Sequence, residues 1–72
     1  MAKAEIGNSI RRLRFDHDEM TQEELAECAR CTRQTIILLE QGRFVSSLAL
    51  AFRVARTFAL RVDDVFEYLD DG

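Results

Sequence analysis

The sequence has 72 residues, a length that supports one domain with a small core. Hydrophobic residues make up 47% and charged residues 32% of the chain, which argues against an intrinsically disordered protein. The N-terminus lacks the apolar stretch of a signal peptide, and no apolar run is long enough to span a membrane. We therefore expect a single soluble, cytoplasmic domain over residues 1–72.

The net charge of −3 is unevenly distributed. Residues 1–29 carry a net −3, residues 30–61 carry six Arg and one Glu for a net +5, and residues 62–72 carry a net −5. A basic centre between acidic ends can form a local positive face for nucleic acid despite the acidic total. On charge alone, a set of ordinary solvated helix faces is the favoured interpretation.

The chain opens with a pattern that predicts a helix. Ile6, Ile10 and Leu13 recur at helical spacing, which predicts a first helix over about residues 5 to 17. The polar stretch "DHDE" then ends this helix. Because no part of the sequence resembles a convincing strand, we expect a domain built from helices.

The next two predicted helices are short and close together. Thr21 and Glu24 make a capping-box pattern at the start of "TQEELAECA", which predicts the second helix. The three residues "RCT" separate it from a third helix, for which Thr32 is a natural N-cap and Gly42 a natural stop. Residues 21–42 therefore have the spacing of a helix-turn-helix unit.

Two further helices complete the chain. Ser46 and Ser47 precede "LALAFRVARTFA", whose apolar residues keep helical spacing. Asp63 or Asp64 can start a last short helix through "DVFEYL", with acidic groups at its positive end. We expect an all-α fold, a compact five-helix domain without an internal repeat or a linker.

A helix-turn-helix that binds DNA requires particular residue types at particular places. Ala26 supplies the small residue where the helices cross, and Ile36 and Leu39 supply the apolar inner side of the second helix of the unit. Arg33 and Gln34 supply hydrogen-bonding groups at its outer N-terminal end. Any two amphipathic helices could share part of this pattern.

The stretches "TQEELAE", "TRQTIILLEQGRF" and "SLALAFRVARTFALRVDDVFEY" resemble the Cro/cI-type helix-turn-helix regulators, also called the xenobiotic-response-element family. The resemblance runs from about Ile6 to Tyr68. It implies a five-helix, lambda-repressor-like fold that usually works as a homodimer on double-stranded DNA with two-fold symmetric operators. The implied function is sequence-specific DNA-binding transcription regulation, as a repressor.

The resemblance also implies roles for individual residues. Arg14 and Glu40 match an ion pair of the family that joins the first helix to the third. Gln22, Gln41 and Arg43 match contacts to the DNA backbone. The whole DNA-binding set implied by the resemblance consists of Gln22, Thr32, Arg33, Gln34, Ile37, Leu38, Gln41 and Arg43.

Three positions depart from the family pattern. The family usually has Gly in the turn between the second and third helices, where this chain has Arg30. A non-glycine residue in the left-handed region costs on the order of 1 kcal/mol, so we expect strain there. Ala59 stands where Gly often closes the fourth helix, and Ser46 stands where Pro is common.

The four consecutive apolar residues from Ile36 to Leu39 cannot all lie on one face of the third helix. On a helical wheel Ile36, Leu39 and Glu40 face the domain, because their angular positions lie close together. The opposite strip carries Arg33, Gln34, Ile37, Leu38 and Gln41. Gln suits adenine, Arg suits guanine or phosphate, and aliphatic carbon suits the thymine methyl group. Alternatively, Ile37 and Leu38 pack within the protein or bind another protein, as in an adaptor or antitoxin-like module.

Cys28 and Cys31 have the C-x-x-C spacing of redox and zinc sites. A structural zinc needs four ligands, and His17 is the only other plausible one. Because Cys31 takes the place of an apolar turn residue, core packing explains the motif better, with a regulatory disulfide as the alternative. The sequence contains no Ser-His-Asp set and no phosphate-binding Gly loop. We expect no metal, cofactor, small-molecule ligand or enzyme activity.

The C-terminal part has more apolar surface than one small domain readily buries. Its residues can complete the core or form the seam of a homodimer built from the fifth helix and the end of the fourth. The expected seam consists of Leu60, Val62, Val65, Tyr68 and Leu69.

Overall fold

A computed structural model describes residues 5–42 and 47–69. Within these residues, five helices and two strands follow one another: β1 (Glu5–Asn8), α1 (Ile10–Asp16), α2 (Gln22–Ala29), α3 (Arg33–Glu40), α4 (Leu48–Thr57), α5 (Val62–Val65) and β2 (Phe66–Leu69). None of the helices in these ranges is long and apolar enough to cross a membrane.

Every helix contributes at least one side chain to a single apolar core. The core forms because each helix has an apolar stripe that leaves water on folding. The largest fully buried side chains come from all five helices, one each: Ile10, Leu25, Ile36, Val54 and Val65.

Side-chain caps fix the starts of the three longest helices. Thr21 and Glu24 form the capping box, since Thr21 Oγ1 accepts from the backbone N–H of Glu24 at 3.0 Å and Glu24 Oε1 accepts from that of Thr21 at 2.8 Å. Thr32 caps α3 and Ser47 caps α4 through their hydroxyl oxygens. These caps confirm the helix starts that the sequence indicates.

The turn between α2 and α3 has the left-handed geometry that the sequence predicts. Arg30 has φ 58° and ψ 49°, and the next N–H, of Cys31, donates to the carbonyl of Ala26 at 2.9 Å. Ala59 repeats this arrangement after α4 with φ 57°. Both residues carry a Cβ where glycine would avoid the steric cost.

The prediction of a domain without strands was wrong at both ends of the described chain. Residues 5–8 form a strand, not the first turns of α1, and residues 66–69 form a second strand after a single helical turn. The strands pair antiparallel, with Ile6 opposite Tyr68 and Asn8 opposite Phe66. The fold is therefore mainly helical, with five helices and a small two-stranded sheet.

Local chemistry explains why the first helix starts late. Gly7 disfavours a helix interior, and it lies so close to Leu69 that an added Cβ would come within 3.0 Å of its Cδ1. Asn8 then accepts a hydrogen bond from the backbone N–H of Ile10 through Oδ1 at 3.2 Å. An Asn that bonds to the backbone two residues on favours a turn over a continuing helix.

Candidate nucleic-acid interface

Helix α3 divides its side chains between the core and an outer face. Ile36 and Leu39 are buried, while Arg33 and Gln34 are exposed on the other side. Thr32 and Gln41, at the two ends of the helix, are also exposed. The outer face thus offers several groups that can donate hydrogen bonds to a ligand.

Ile37 and Leu38 lie within this outer face. Both are half-buried, and in the described part of the chain neither belongs to the partly buried side chains that pack against the core. They leave aliphatic surface between the polar groups of α3. This surface is available either to a nucleic-acid base or to another protein.

An open groove runs between α1, the start of α2 and the outer side of α3. We call it the α1–α3 groove, and it is lined by Arg11, Arg14, Thr21, Gln22, Glu23, Arg33, Ile37, Glu40 and Gln41. It brings together four residues of the DNA-binding set implied by the resemblance, namely Gln22 at the start of α2 and Arg33, Ile37 and Gln41 along the length of α3.

An ion pair at the floor of this groove holds α1 against α3. Arg14 donates to Glu40 from Nε at 2.6 Å and from a terminal nitrogen at 3.2 Å. The two side chains are only 15% and 10% exposed. Arg14 also donates to the carbonyl of Met20 at 2.8 Å, so its guanidinium fixes the α1–α2 loop as well.

Gln22 belongs to the same network. Its side-chain nitrogen donates to Glu40 Oε1 at 3.0 Å, so the start of α2 is tied to the end of α3. An amide nitrogen has two hydrogens, and this bond occupies one of them. The other remains for an acceptor such as a phosphate oxygen.

Two further polar contacts position the helix-turn-helix unit, and sequence reasoning missed both. Asn8 donates from Nδ2 to the carbonyl of Leu39 at 2.8 Å. Arg53 donates from Nε to the carbonyl of Ala29 at 2.6 Å. Both bonds reach carbonyls in the last turn of a helix, where partners within the helix are lacking; that of Leu39 also accepts from the backbone N–H of Gly42 at 3.0 Å.

The remaining implied residues have different surroundings. Thr32 uses its hydroxyl within the protein, since Oγ1 accepts from the backbone N–H of Thr35 at 3.1 Å and bonds to the Thr35 hydroxyl at 2.9 Å. Because the hydroxyl is engaged with Thr35, the methyl group is the part of the Thr32 side chain that is left to contact a ligand. Arg43 lies outside the described residues.

Comparison with known proteins decides the family. An uncharacterized HTH-type transcriptional regulator of Methanocaldococcus jannaschii is 42% identical over 64 residues, which are 89% of this chain and 96% of that protein. One from Methanothermobacter thermautotrophicus is 52% identical over 54 residues, covering 74% of this chain and 78% of the relative. No protein-family model matches the chain.

This chain belongs to the HTH-type transcriptional regulators. A solved structure agrees: the clp gene regulator ClgR from Corynebacterium glutamicum has a TM-score of 0.69 and 33% identity. The match covers 76% of this chain and 57% of that one. The relatives' names support a role for this HTH-type regulator in DNA-binding transcription regulation.

The C-terminal apolar residues of this HTH-type regulator differ in exposure. Val65 is only 2% exposed and belongs to the core, so it offers a partner almost no surface. Leu60 and Val62 are half-buried, whereas Tyr68 is 65% and Leu69 44% exposed. Four of the five expected seam residues therefore have surface left to bury.

A second groove of the regulator adds a residue that the sequence did not single out. Phe52 on α4 is 48% exposed and borders a shallow groove together with Leu60 and Val62. Arg56, Arg61 and Asp63 lie on the same groove, so both signs of charge surround its apolar part. The sequence did contain an indication of this groove, because Leu48 and Phe52 are four residues apart and so lie on one face of α4, where both are exposed.

The two cysteines of the regulator have different environments. Cys28 is exposed and Cys31 is half-buried against the core, and both are free thiols. Burial raises the pKa of the Cys31 thiol, and the positive charge of Arg53 opposes that rise. Within residues 5–42 and 47–69, no group of three or more His, Cys, Asp or Glu side chains could hold a metal ion.

Proposed function

We propose that this chain is a Cro/cI-type repressor that inserts α3 into the major groove of DNA as a homodimer. The observation that carries the proposal is the division of α3, whose Ile36 and Leu39 are buried while Arg33 and Gln34 are exposed on the other side. A recognition helix needs this arrangement, because its N-terminal outer residues reach the base edges. A repressor needs only to occupy its operator, which such a surface allows.

Gln34 and Leu38 are the principal candidates for reading bases. They are four residues apart, so they adjoin on one face of the helix. A Gln amide can form two hydrogen bonds with adenine, and a Leu side chain suits the methyl group of an adjacent thymine. Arg33 can bind guanine or a phosphate, while Thr32 and Ile37 contribute carbon surface beside them.

Gln22 and Gln41 are proposed to bind phosphates beside the base-reading residues of α3, and Arg43 is proposed to do the same. The α1–α3 groove supports this role for Gln22 and Gln41, which both line it. Gln22 is held by Glu40 and keeps one amide hydrogen for a phosphate. Such contacts fix the orientation of the protein on the duplex without reading its sequence.

A second copy of the chain is proposed to cover the groove around Phe52, Leu60 and Val62. The apolar part of this groove would leave water on association. Arg61 and Asp63, which lie 3.5 Å apart as an exposed ion pair within one chain, would border the buried part of the seam. Tyr68 and Leu69 extend the exposed apolar surface along β2. A two-fold dimer would present two recognition helices to a symmetric operator.

The alternative is a protein-binding module, an adaptor or antitoxin-like domain. It is favoured by the half-buried Ile37 and Leu38, which, within residues 5–42 and 47–69, are not among the side chains packed against the core. In that case the outer face of α3 would bind an apolar surface of another protein.

Selection of bound sites from a random duplex pool, followed by a salt titration on the best site, tests the proposal. We expect enrichment of a two-fold symmetric sequence and an affinity that falls steeply with salt, because phosphate contacts release counterions. Absence of enrichment together with salt-independent binding would favour the protein-binding alternative.

A further inference from the structure

Arg11 has a position that neither the helix-turn-helix pattern nor the resemblance assigns. It lies in the first turn of α1, outside the helix-turn-helix unit, and its side chain is exposed. It lines the α1–α3 groove together with Gln22, Arg33 and Gln41. Helix α1 thus adds a second cation to the groove, beside Arg14, which is paired with Glu40.

The charges of the groove are not equally available to a ligand. Arg14 and Glu40 neutralise each other at the floor, where both are largely buried. The remaining charged side chains of the lining are those of Arg11, Arg33 and Glu23, and all three are exposed. Within residues 5–42 and 47–69, no ion pair involves Arg11. Two cations therefore face one carboxylate across an open groove with amide donors beside them.

We infer that the α1–α3 groove receives the sugar–phosphate backbone beside the recognition helix, and that Arg11 binds a phosphate there. Guanidinium and amide donors around an open groove suit phosphate oxygens, which accept several hydrogen bonds and carry negative charge. This inference rests on the proposed function. It extends the DNA contacts of the protein from the helix-turn-helix unit to α1.

Glu23 acts against this binding. It lies in the first turn of α2, where a carboxylate stabilises the helix through its dipole. The same carboxylate lines the groove and repels a phosphate that enters it. Glu23 therefore weakens the affinity for every DNA sequence while it stabilises the fold.

Arg12 offers a matched control for Arg11. It is the next residue of the same helix and is exposed as well, but it does not line the α1–α3 groove. Its Nε lies 3.9 Å from Asp16 in an exposed i,i+4 pair. Arg11→Ala and Arg12→Ala remove the same charge from adjacent positions, and only the first removes it from the groove.

The experiment titrates wild type, Arg11→Ala, Arg12→Ala and Glu23→Gln against a random-sequence duplex and the selected site over a range of salt. One phosphate contact contributes about 0.9 to the slope of log affinity against log salt. We expect Arg11→Ala to lose about this much slope on both duplexes, so that between about 50 and 200 mM salt its affinity falls roughly 3.5-fold less than that of wild type. Arg12→Ala should keep the wild-type slope, and Glu23→Gln should bind both duplexes more tightly.

The possible failures are distinguishable. If wild type binds DNA with a salt-dependent affinity but Arg11→Ala keeps the wild-type slope, the role of Arg11 is overturned and the proposed function stands. Equal losses for Arg11→Ala and Arg12→Ala would also overturn it, because total charge would then explain the effect. If wild type itself binds no DNA, the proposed function and the inference both fail. Thermal melting of each variant shows that the compared proteins are folded.

Discussion

Arg14 Nε lies 2.6 Å from Glu40 Oε2, which joins α1 directly to the last residue of α3 across 26 positions of sequence. Glu40 also accepts from Gln22, so one carboxylate connects the first three helices. Because the outer residues of α3 must meet base edges at a fixed angle, this connection bears on recognition as well as on stability.

Replacing one partner of the Arg14–Glu40 pair should cost more than replacing both. Arg14→Met leaves the Glu40 carboxylate, 10% exposed, without its cation, and we expect a loss of about 3 kcal/mol in the free energy of unfolding. The double variant Arg14→Met, Glu40→Leu should recover at least half of that loss, because no charge is left stranded. Urea denaturation of the two single variants and the double variant measures this. Additive losses would show that the pair is not coupled.

Glycine should stabilise the domain at two of the positions with positive φ, the residues that follow α2 and α4. We expect Arg30→Gly and Ala59→Gly each to stabilise the domain by about 0.5–1 kcal/mol, since glycine adopts positive φ without a Cβ penalty. Glu27→Gly is the control, because it places glycine on the exposed face of α2 and should destabilise by about 1 kcal/mol. Thermal melting compares the three. A neutral or destabilising Arg30→Gly would argue against strain in the turn.

The helix-turn-helix unit could be predicted from sequence because its determinants are local. The capping residues Thr21 and Thr32 lie within three residues of the N–H groups that they accept. Arg30 stands between the two helices, where a change of direction requires a left-handed residue. Features that depend on residues only a few positions apart can be predicted from one sequence without knowledge of the rest of the fold.

The sheet could not be predicted, because its pairing is not local. Ile6 has helical spacing with Ile10, yet its partner in the strand pair is Tyr68. Each strand has four residues, too few for a reliable alternating pattern. Gly7 was the one sequence feature that argued against a helix here, since a glycine in a helical pattern makes that helix less stable.

The same distinction applies to the candidate site. The helical repeat of 3.6 residues predicts which side chains of α3 lie on its outer face. The hydrogen bond from Asn8 to the carbonyl of Leu39 could not be predicted in this way, because it joins residues 31 positions apart. Arg11 carried no sequence signal at all, because an Arg on a short helix is ordinary. Its significance depends on the groove that three helices form together.

Self-association should depend on Phe52 and not on Phe15. Both are exposed phenylalanines, at 48% and 69%, but only Phe52 borders the groove with Leu60 and Val62. We expect wild type to sediment as a dimer at tens of micromolar protein. Phe52→Ser should weaken the dimer by about tenfold or more, since a buried aromatic contact is worth at least about 1.4 kcal/mol. Phe15→Ser should sediment like wild type. A monomeric wild type, or equal effects of the two substitutions, would contradict the proposed seam.

The two cysteines should react at different rates. Cys28 is exposed, whereas burial both shields the Cys31 thiol and raises its pKa, so less thiolate is present at Cys31 at mildly alkaline pH. We expect iodoacetamide to alkylate Cys28 first, with Cys31 reacting fully only after unfolding. Mass spectrometry of the native and urea-unfolded protein resolves the order. Faster native alkylation of Cys31 would contradict its packing against the core.

The same pKa shift implies a pH dependence of stability with a definite sign. The folded state favours the neutral Cys31 thiol more than the unfolded state does. Its contribution is therefore complete below the ordinary thiol pKa and is lost as the pH rises through the raised value. We expect Cys31→Ala to reduce the decline in stability above about pH 9, measured by urea denaturation across that range.

The central claim is that the outer face of α3 reads DNA sequence. The most direct test is a titration of Gln34→Ala against the selected duplex and a scrambled one, at one fixed salt concentration. Gln34 should discriminate its base by roughly 1–3 kcal/mol, whereas Gln22→Ala and Gln41→Ala should weaken both duplexes alike. The expected result is that Gln34→Ala loses roughly 5- to 150-fold in affinity for the selected duplex and little for the scrambled one. An equal loss on both duplexes would contradict the claim and favour the protein-binding module.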